Sequence, residues 1–114
     1  MDEATLDRTL AALADPSRRG VVDLLCKGPR RAGELAEALS MTPPAMSRHL
    51  RVLRETGLIE DEGLDGDARV RVYRLRQEPF SALRQWVDEV ASFWTAELDA
   101  FKAHAERTRG RKPR

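Results

Sequence analysis

The chain has one cysteine, Cys26, two histidines and only 5% aromatic residues. A single cysteine excludes an internal disulfide framework and a cysteine-rich zinc site. Cys26 follows the apolar run of Val21, Val22, Leu24 and Leu25 and reads as a buried, inert thiol. A redox sensor would need an exposed thiolate, and Lys27, Arg30 and Arg31 nearby keep that alternative open. No apolar run approaches the ~18 residues of a membrane span. The start, Met1-Asp2-Glu3, lacks the basic and apolar regions of a signal peptide. A cytoplasmic protein with no membrane partner is expected. Phosphate loops, nucleophile elbows and paired-carboxylate settings are also missing, so neither an enzyme nor a cofactor is expected.

At 114 residues, with 41% hydrophobic and 34% charged residues, the chain suits one solvated globular domain. Leu6, Leu10 and Leu13 recur at helical spacing. Asp15-Pro16 reads as an N-cap followed by a first-turn proline, opening a second helix to about Lys27 that Gly28-Pro29 ends. A short third helix is expected over 32–39, with Leu35, Ala36 and Leu39 on one face. Thr42-Pro43 opens a fourth by the same cap logic. Because Pro43 and Pro44 have no amide, Thr42 can cap only through Ala45 or beyond. Met46, Leu50 and Leu53 form the inward stripe, and Thr56-Gly57 ends the helix. Residues 58–62 and 69–75 read as two strands around a turn at Leu64, Asp65, Gly66 and Asp67. Val70 and Val72 then share one face, and Arg69, Arg71 and Tyr73 the other.

The net charge is only +1, but the last eight residues carry five basic groups and no acid, leaving residues 1–106 at −4. Within that acidic body, residues 42–54 hold Arg48, Arg51 and Arg54 and no acid. A basic strip on an acidic body is the footprint of groove binding. With Met46, Leu50 and Leu53 inward, Thr42, Pro44, Ala45, Ser47, Arg48, His49 and Arg51 lie on the outer face or its flanks. Arg48 can bridge guanine O6 and N7 or simply clamp a phosphate. His49 and Arg51 are expected to face phosphates, although a helix-surface histidine with no ligand also fits His49. Arg54 can instead pair with Glu55 or Asp61.

From Pro79 to about Glu106 the helical pattern returns. Leu83, Val87, Val90, Trp94, Leu98, Phe101 and Ala105 form one stripe, and Trp86 and Phe93 a second. Two stripes are more than a monomer's surface helix carries. The helix therefore either pairs with a second copy or wraps its own core. The expected architecture is mainly α with a small β-hairpin wing, a winged helix-turn-helix. It spans 1–106, includes a terminal dimerisation helix at about 79–106, and is followed by a disordered basic tail over 107–114.

Residues 10–18, 34–39, 44–58 and 72–75, above all Ser47-Arg48-His49-Leu50-Arg51-Val52-Leu53-Arg54, resemble the ArsR family of bacterial winged-helix repressors. Trp86, Phe93, Trp94, Glu97, Asp99 and Phe101 resemble its metal-independent branch. The resemblance implies a homodimer built on the first and last helices, with Leu6, Leu10, Val87, Val90, Trp94, Leu98 and Phe101 at the interface. It also implies a double-stranded, pseudo-palindromic DNA operator and repression relieved by a signal, either a small molecule or a protein. The family often carries a glutamine just before the proline of the fourth helix. Pro43 stands there instead, which removes one base-reading side chain. Asp65 and Asp67 at the wing tip repel phosphate, so wing contacts fall to Arg69 and Arg71, unless both are strand-surface charges. No Cys-x-Cys occupies the third helix, and Asp88, Glu89 and a lone His104 make a weak metal set, so no metal is expected. A winged-helix module that binds protein rather than DNA is the competing function.

Overall fold

Capping chemistry divides the chain into its elements. In the computed structural model, which describes residues 3–64 and 67–110, with side chains at 3–63 and 70–109, five helices and three strands follow one another. Helix α1, Glu3–Leu13, gives way to α2, Pro16–Leu25, at the expected Asp15-Pro16 break. The Asp15 carboxylate accepts from the amides of Ser17 at 2.8 Å and Arg18 at 3.1 Å, satisfying donors that the first turn leaves orphaned. Strand β1, Arg30–Arg31, leads into α3, Ala32–Ala38, where Glu34 Oε1 accepts from the Arg31 amide at 3.0 Å.

The turn between α3 and α4 is closed by a left-handed residue. Ser40 has φ 54°; its amide bonds to the Glu37 carbonyl, and that of Met41 to the Ala36 carbonyl at 2.8 Å. This is the Schellman pattern with serine in the usual glycine place. Helix α4, Pro43–Glu55, starts as expected, with Thr42 Oγ1 accepting from the Ala45 amide at 3.3 Å. It ends in a second Schellman cap. Gly57, at φ 80°, donates to Arg54, and Leu58 donates to Leu53 at 2.9 Å. Leu58 and Leu53 are both fully buried, the apolar contact that accompanies this cap.

Strands β2, Ile59–Leu64, and β3, Asp67–Leu75, form the wing. They pair antiparallel, with Ile59 opposite Leu75 and Asp61 opposite Tyr73, up to an irregularity at Gly63/Leu64. The sheet has a third strand that the sequence pattern does not announce. Arg30 and Arg31 pair with Tyr73 and Val72, giving the order β1-β3-β2. The expected turn at Asp65 and Gly66 lies outside the described residues.

The core joins the helices to one sheet face. Ala12, Val21, Leu25, Leu35, Ala36, Met46, Leu50, Leu53, Leu58 and Ile59 are buried together, and Tyr73, Leu75 and Phe80 pack against them. In α1 the buried positions are Thr9 and Ala12, with Leu10 left 40% exposed. Cys26 corrects the sequence reading. It is exposed, because α2 ends at Leu25 and Cys26 sits at the C-cap, past the buried face.

Residues up to Ala82 form one compact unit and residues from Leu83 on a second. Helix α5, Gln77–Gly110, crosses that boundary and has 34 residues, about 51 Å at 1.5 Å per residue. It continues past the expected end at Glu106, so residues 107–110 of the tail read as disordered are helical, while 111–114 lie outside the described residues. In the second unit Val87, Phe93, Trp94, Leu98 and Phe101 are 48–72% exposed. Phe93 and Trp94 meet edge to face at 5.6 Å between ring centroids. No described helix is long and apolar enough to cross a membrane.

The hydroxyl of Thr9, a residue 0% exposed, is buried without a hydrogen-bond partner. Thr9→Val keeps the shape and the β-branch and removes an unsatisfied hydroxyl. It should raise stability by about 1 kcal/mol, read as a higher urea midpoint at unchanged slope.

Candidate nucleic-acid interface

Helices α3 and α4, joined by the Ser40 turn, are the helix-turn-helix, and β2–β3 is the wing. Burial of Met46, Leu50 and Leu53 sets the rotation of α4. Pro44, Ser47, Arg48 and Arg51 then fall within roughly 100° of arc on the opposite side, and all four are exposed. Thr42 is exposed and Ala45 half-buried at the N-terminal edge. The Thr42 oxygen already accepts from Ala45, which leaves its O–H to donate. Among the described residues neither Arg48 nor Arg51 has an ion-pair partner.

His49 is placed differently from the expectation of a phosphate-facing side chain. It is half-buried against the start of α2, with Nδ1 3.4 Å from Arg18 Nη1 and 4.0 Å from Asp15 Oδ1. Arg18 also donates to the Ala12 carbonyl at 2.7 Å and the Ala11 carbonyl at 3.4 Å. One corner thus ties the end of α1, the cap of α2 and the flank of α4. At 100° per residue, His49 lies on the side of α4 that meets α2, which helical spacing alone does not reveal.

On the wing, Arg71 is held by Asp61. Asp61 Oδ2 accepts from Arg71 Nη1 at 2.9 Å, and Asp61 Oδ1 from Arg54 Nη1 at 3.4 Å. The Asp61 side chain is 7% exposed. It fastens the last turn of α4 to β3 and orients both arginines. Arg54 thereby finds one of the two partners expected for it. On the other sheet face Arg74 pairs with Glu60 and Glu62. The side chain of Arg69 lies outside the described residues, as does that of Asp67; Asp65 lies outside them altogether. Between α4 and the wing runs a cleft of about 190 Å³ lined by Ser47, Leu50, Arg51, Arg54 and Tyr73. Sequence reasoning left Tyr73 out of the site and gave Arg54 only a structural role. The signal that brings them in is the β2–β3 register, which single-strand alternation does not contain. Among the described residues no group of three or more metal-ligating side chains comes together.

A helix pair joined by a tight turn, an exposed basic face on the second helix and a hairpin packed behind it define a winged helix-turn-helix. Residues 15–61 match the family described as "Bacterial regulatory protein, arsR family". The HTH-type transcriptional regulator Rv2034 of Mycobacterium tuberculosis is 40% identical over 95 residues, 83% of each chain. The transcriptional repressor SdpR of Bacillus subtilis is 36% identical over 56 residues, 49% of this chain and 62% of that one. Among solved structures, the homodimeric winged helix-turn-helix DNA-binding domain Mb0332 of Mycobacterium bovis superposes with a TM-score of 0.61 at 29% identity, covering 78% of this chain and 80% of that one. The chain belongs to the ArsR family. It is a transcriptional regulator with the winged helix-turn-helix DNA-binding fold.

The corner at Asp15 makes an acid-stability prediction. The Arg18 amide, helped by the Ser17 amide and the charges of His49 and Arg18, holds the Asp15 carboxyl below its ordinary 3.8 against an opposing effect of burial. A lowered folded value means the stabilisation is complete above the unfolded value and is lost as pH falls through the folded one. Asp15→Asn should therefore be less stable than wild type at neutral pH. The gap between their urea midpoints should close as pH drops below 3.8.

Proposed function

We propose that the protein is a homodimeric repressor that lays α4, residues 43–55, in the major groove of a pseudo-palindromic operator. The observation that carries this reading is the exposed, acid-free face of Ser47, Arg48 and Arg51, opposite the buried stripe that fixes its rotation. Arg48 is the residue assigned to base readout, through guanine O6 and N7. Arg51, Ser47, Thr42, Pro44 and Ala45 lie along the sugar–phosphate path, joined by Arg69 and Arg71 from the wing. His49 acts indirectly, by holding α4 to α2.

Two copies join through Leu6 and Leu10 of α1 and Val87, Val90, Trp94, Leu98 and Phe101 of α5. The exposed apolar stripe on α5 and the homodimeric Mycobacterium bovis domain support this pairing. A two-fold dimer places its reading helices about 34 Å apart, one turn of the duplex. Repression is supported by the likeness to SdpR, named a repressor. The protein acts in the cytoplasm, and its releasing signal is a small molecule or a protein rather than a metal, as in the metal-independent branch.

Fluorescence anisotropy with the DNA upstream of its own gene tests the reading. Binding should weaken steeply with salt, because phosphate contacts release counterions. Arg48→Ala should cost about tenfold or more if the bidentate contact forms. Salt-independent binding that ignores Arg48→Ala would sink groove docking, and no binding even at low salt favours a protein-interaction module instead.

Assembly is tested separately by light scattering on the eluting protein. Wild type should run at twice the mass of one chain, and Leu98→Glu, which buries a charge in an apolar contact, should shift it toward the monomer. A monomeric wild type at micromolar concentration refutes the dimer.

A further inference from the structure

The cleft between α4 and the wing differs from the rest of the α4 surface in shape and charge. It is a concavity of about 190 Å³, room for roughly six waters at ~30 Å³ each, so a phosphate group with some remaining hydration fits. Arg51 and Arg54 line it, and Arg71 stands beside it on the same carboxylate as Arg54. Two guanidiniums thus share one acid, and a third, that of Arg51, lines the same cleft. Asp61, with a side chain only 7% exposed, spends one oxygen on each of Arg54 and Arg71. A guanidinium carries five N–H donors. Arg54, 53% exposed, keeps donors for a ligand. The buried acid therefore orients Arg54 and Arg71 without cancelling the positive charge at the cleft.

We propose that this cleft seats one backbone phosphate of the bound duplex. Arg54 and Arg51 donate to it from α4, the Ser47 hydroxyl lies beside them, and Tyr73 forms the wing-side wall. Asp61 is the positioning residue that holds Arg54 in place. Charge-assisted bonds from a pre-oriented guanidinium are the chemistry that recognises a phosphate. A free phosphate shares that chemistry. The duplex phosphodiester is the occupant because the cleft adjoins the face of α4 that enters the groove. The inference rests on that reading and assigns Arg54 and Tyr73 a part in it.

The test compares wild type with Arg54→Gln on the upstream duplex and on a scrambled duplex of equal composition, across a salt series. Arg54→Gln should lose about tenfold in affinity equally on both duplexes, since phosphates carry no sequence information. Its slope of log affinity against log salt should shrink by about 0.9. An unchanged slope, or a loss confined to one sequence, overturns the seat. The double variant Arg54→Gln/Asp61→Asn removes the carboxylate that the single variant leaves paired with Arg71 alone. The same slope loss supports the seat, and a return to the wild-type slope overturns it, because the effect then came from Asp61. Replacing chloride by inorganic phosphate at constant ionic strength should leave wild-type binding unchanged. A loss that Arg54→Gln abolishes assigns the cleft to free phosphate and overturns the proposal. If wild type binds neither duplex at low salt, the groove-docking reading itself fails; if it binds and the Arg54→Gln slope is unchanged, only the seat does.

Discussion

The rotation of α4 about its own axis depends on the burial of Met46, Leu50 and Leu53, each no more than 3% exposed. A helix has no other means of choosing which side meets water. Once those three side chains are against α2, α3 and β2, Ser47, Arg48 and Arg51 have only one direction left. The caps then fix the helix's length. Thr42 starts it and the Gly57–Leu58 pair stops it, so the basic face begins and ends where the turn and the wing begin. Truncating Leu53 would cost roughly 2–5 kcal/mol and would also release the orientation of the face opposite.

Charges inside the interface do two different jobs. The corner of Asp15, Arg18 and His49 is spent on architecture. It closes the end of α1, caps α2 and steadies α4, and its groups point inward or sideways. The Asp61 pair works at the boundary between architecture and recognition, because a carboxylate hidden under two arginines gives them direction. An acid near a DNA-facing surface looks adverse when charges are counted along the chain. Placed behind the guanidiniums rather than in front of them, it orders the side chains proposed to face the phosphates.

Much of this was legible in the residues. Asp15-Pro16, Thr42-Pro43 and Thr56-Gly57 mark helix ends through local cap chemistry, which acts within four residues, and the outward face of α4 follows from periodicity. What stayed hidden depends on distant parts of the chain. Strand β1 is two arginines with no pattern of their own, extended because the edge of β3 is there to pair with. The place of His49 depends on α2 lying beside it, and the Asp61–Arg71 bond on the register of two strands. Cys26 misleads for the opposite reason. The apolar run of Val21, Val22, Leu24 and Leu25 stops with α2, so the letters extend the stripe one residue too far, onto the exposed C-cap.

The two prolines at the head of α4 have a consequence for how the regulator can change. Pro43 and Pro44 have no amide hydrogen, and the Ala45 amide is taken by Thr42. The first turn therefore offers an anion none of the main-chain donors that helix N-termini commonly supply. Every hydrogen bond this helix makes to a duplex must come from a side chain. Main-chain donors survive any substitution except proline; side chains do not. Affinity and sequence preference in the proposed complex are thus both open to single-residue change that leaves the scaffold intact.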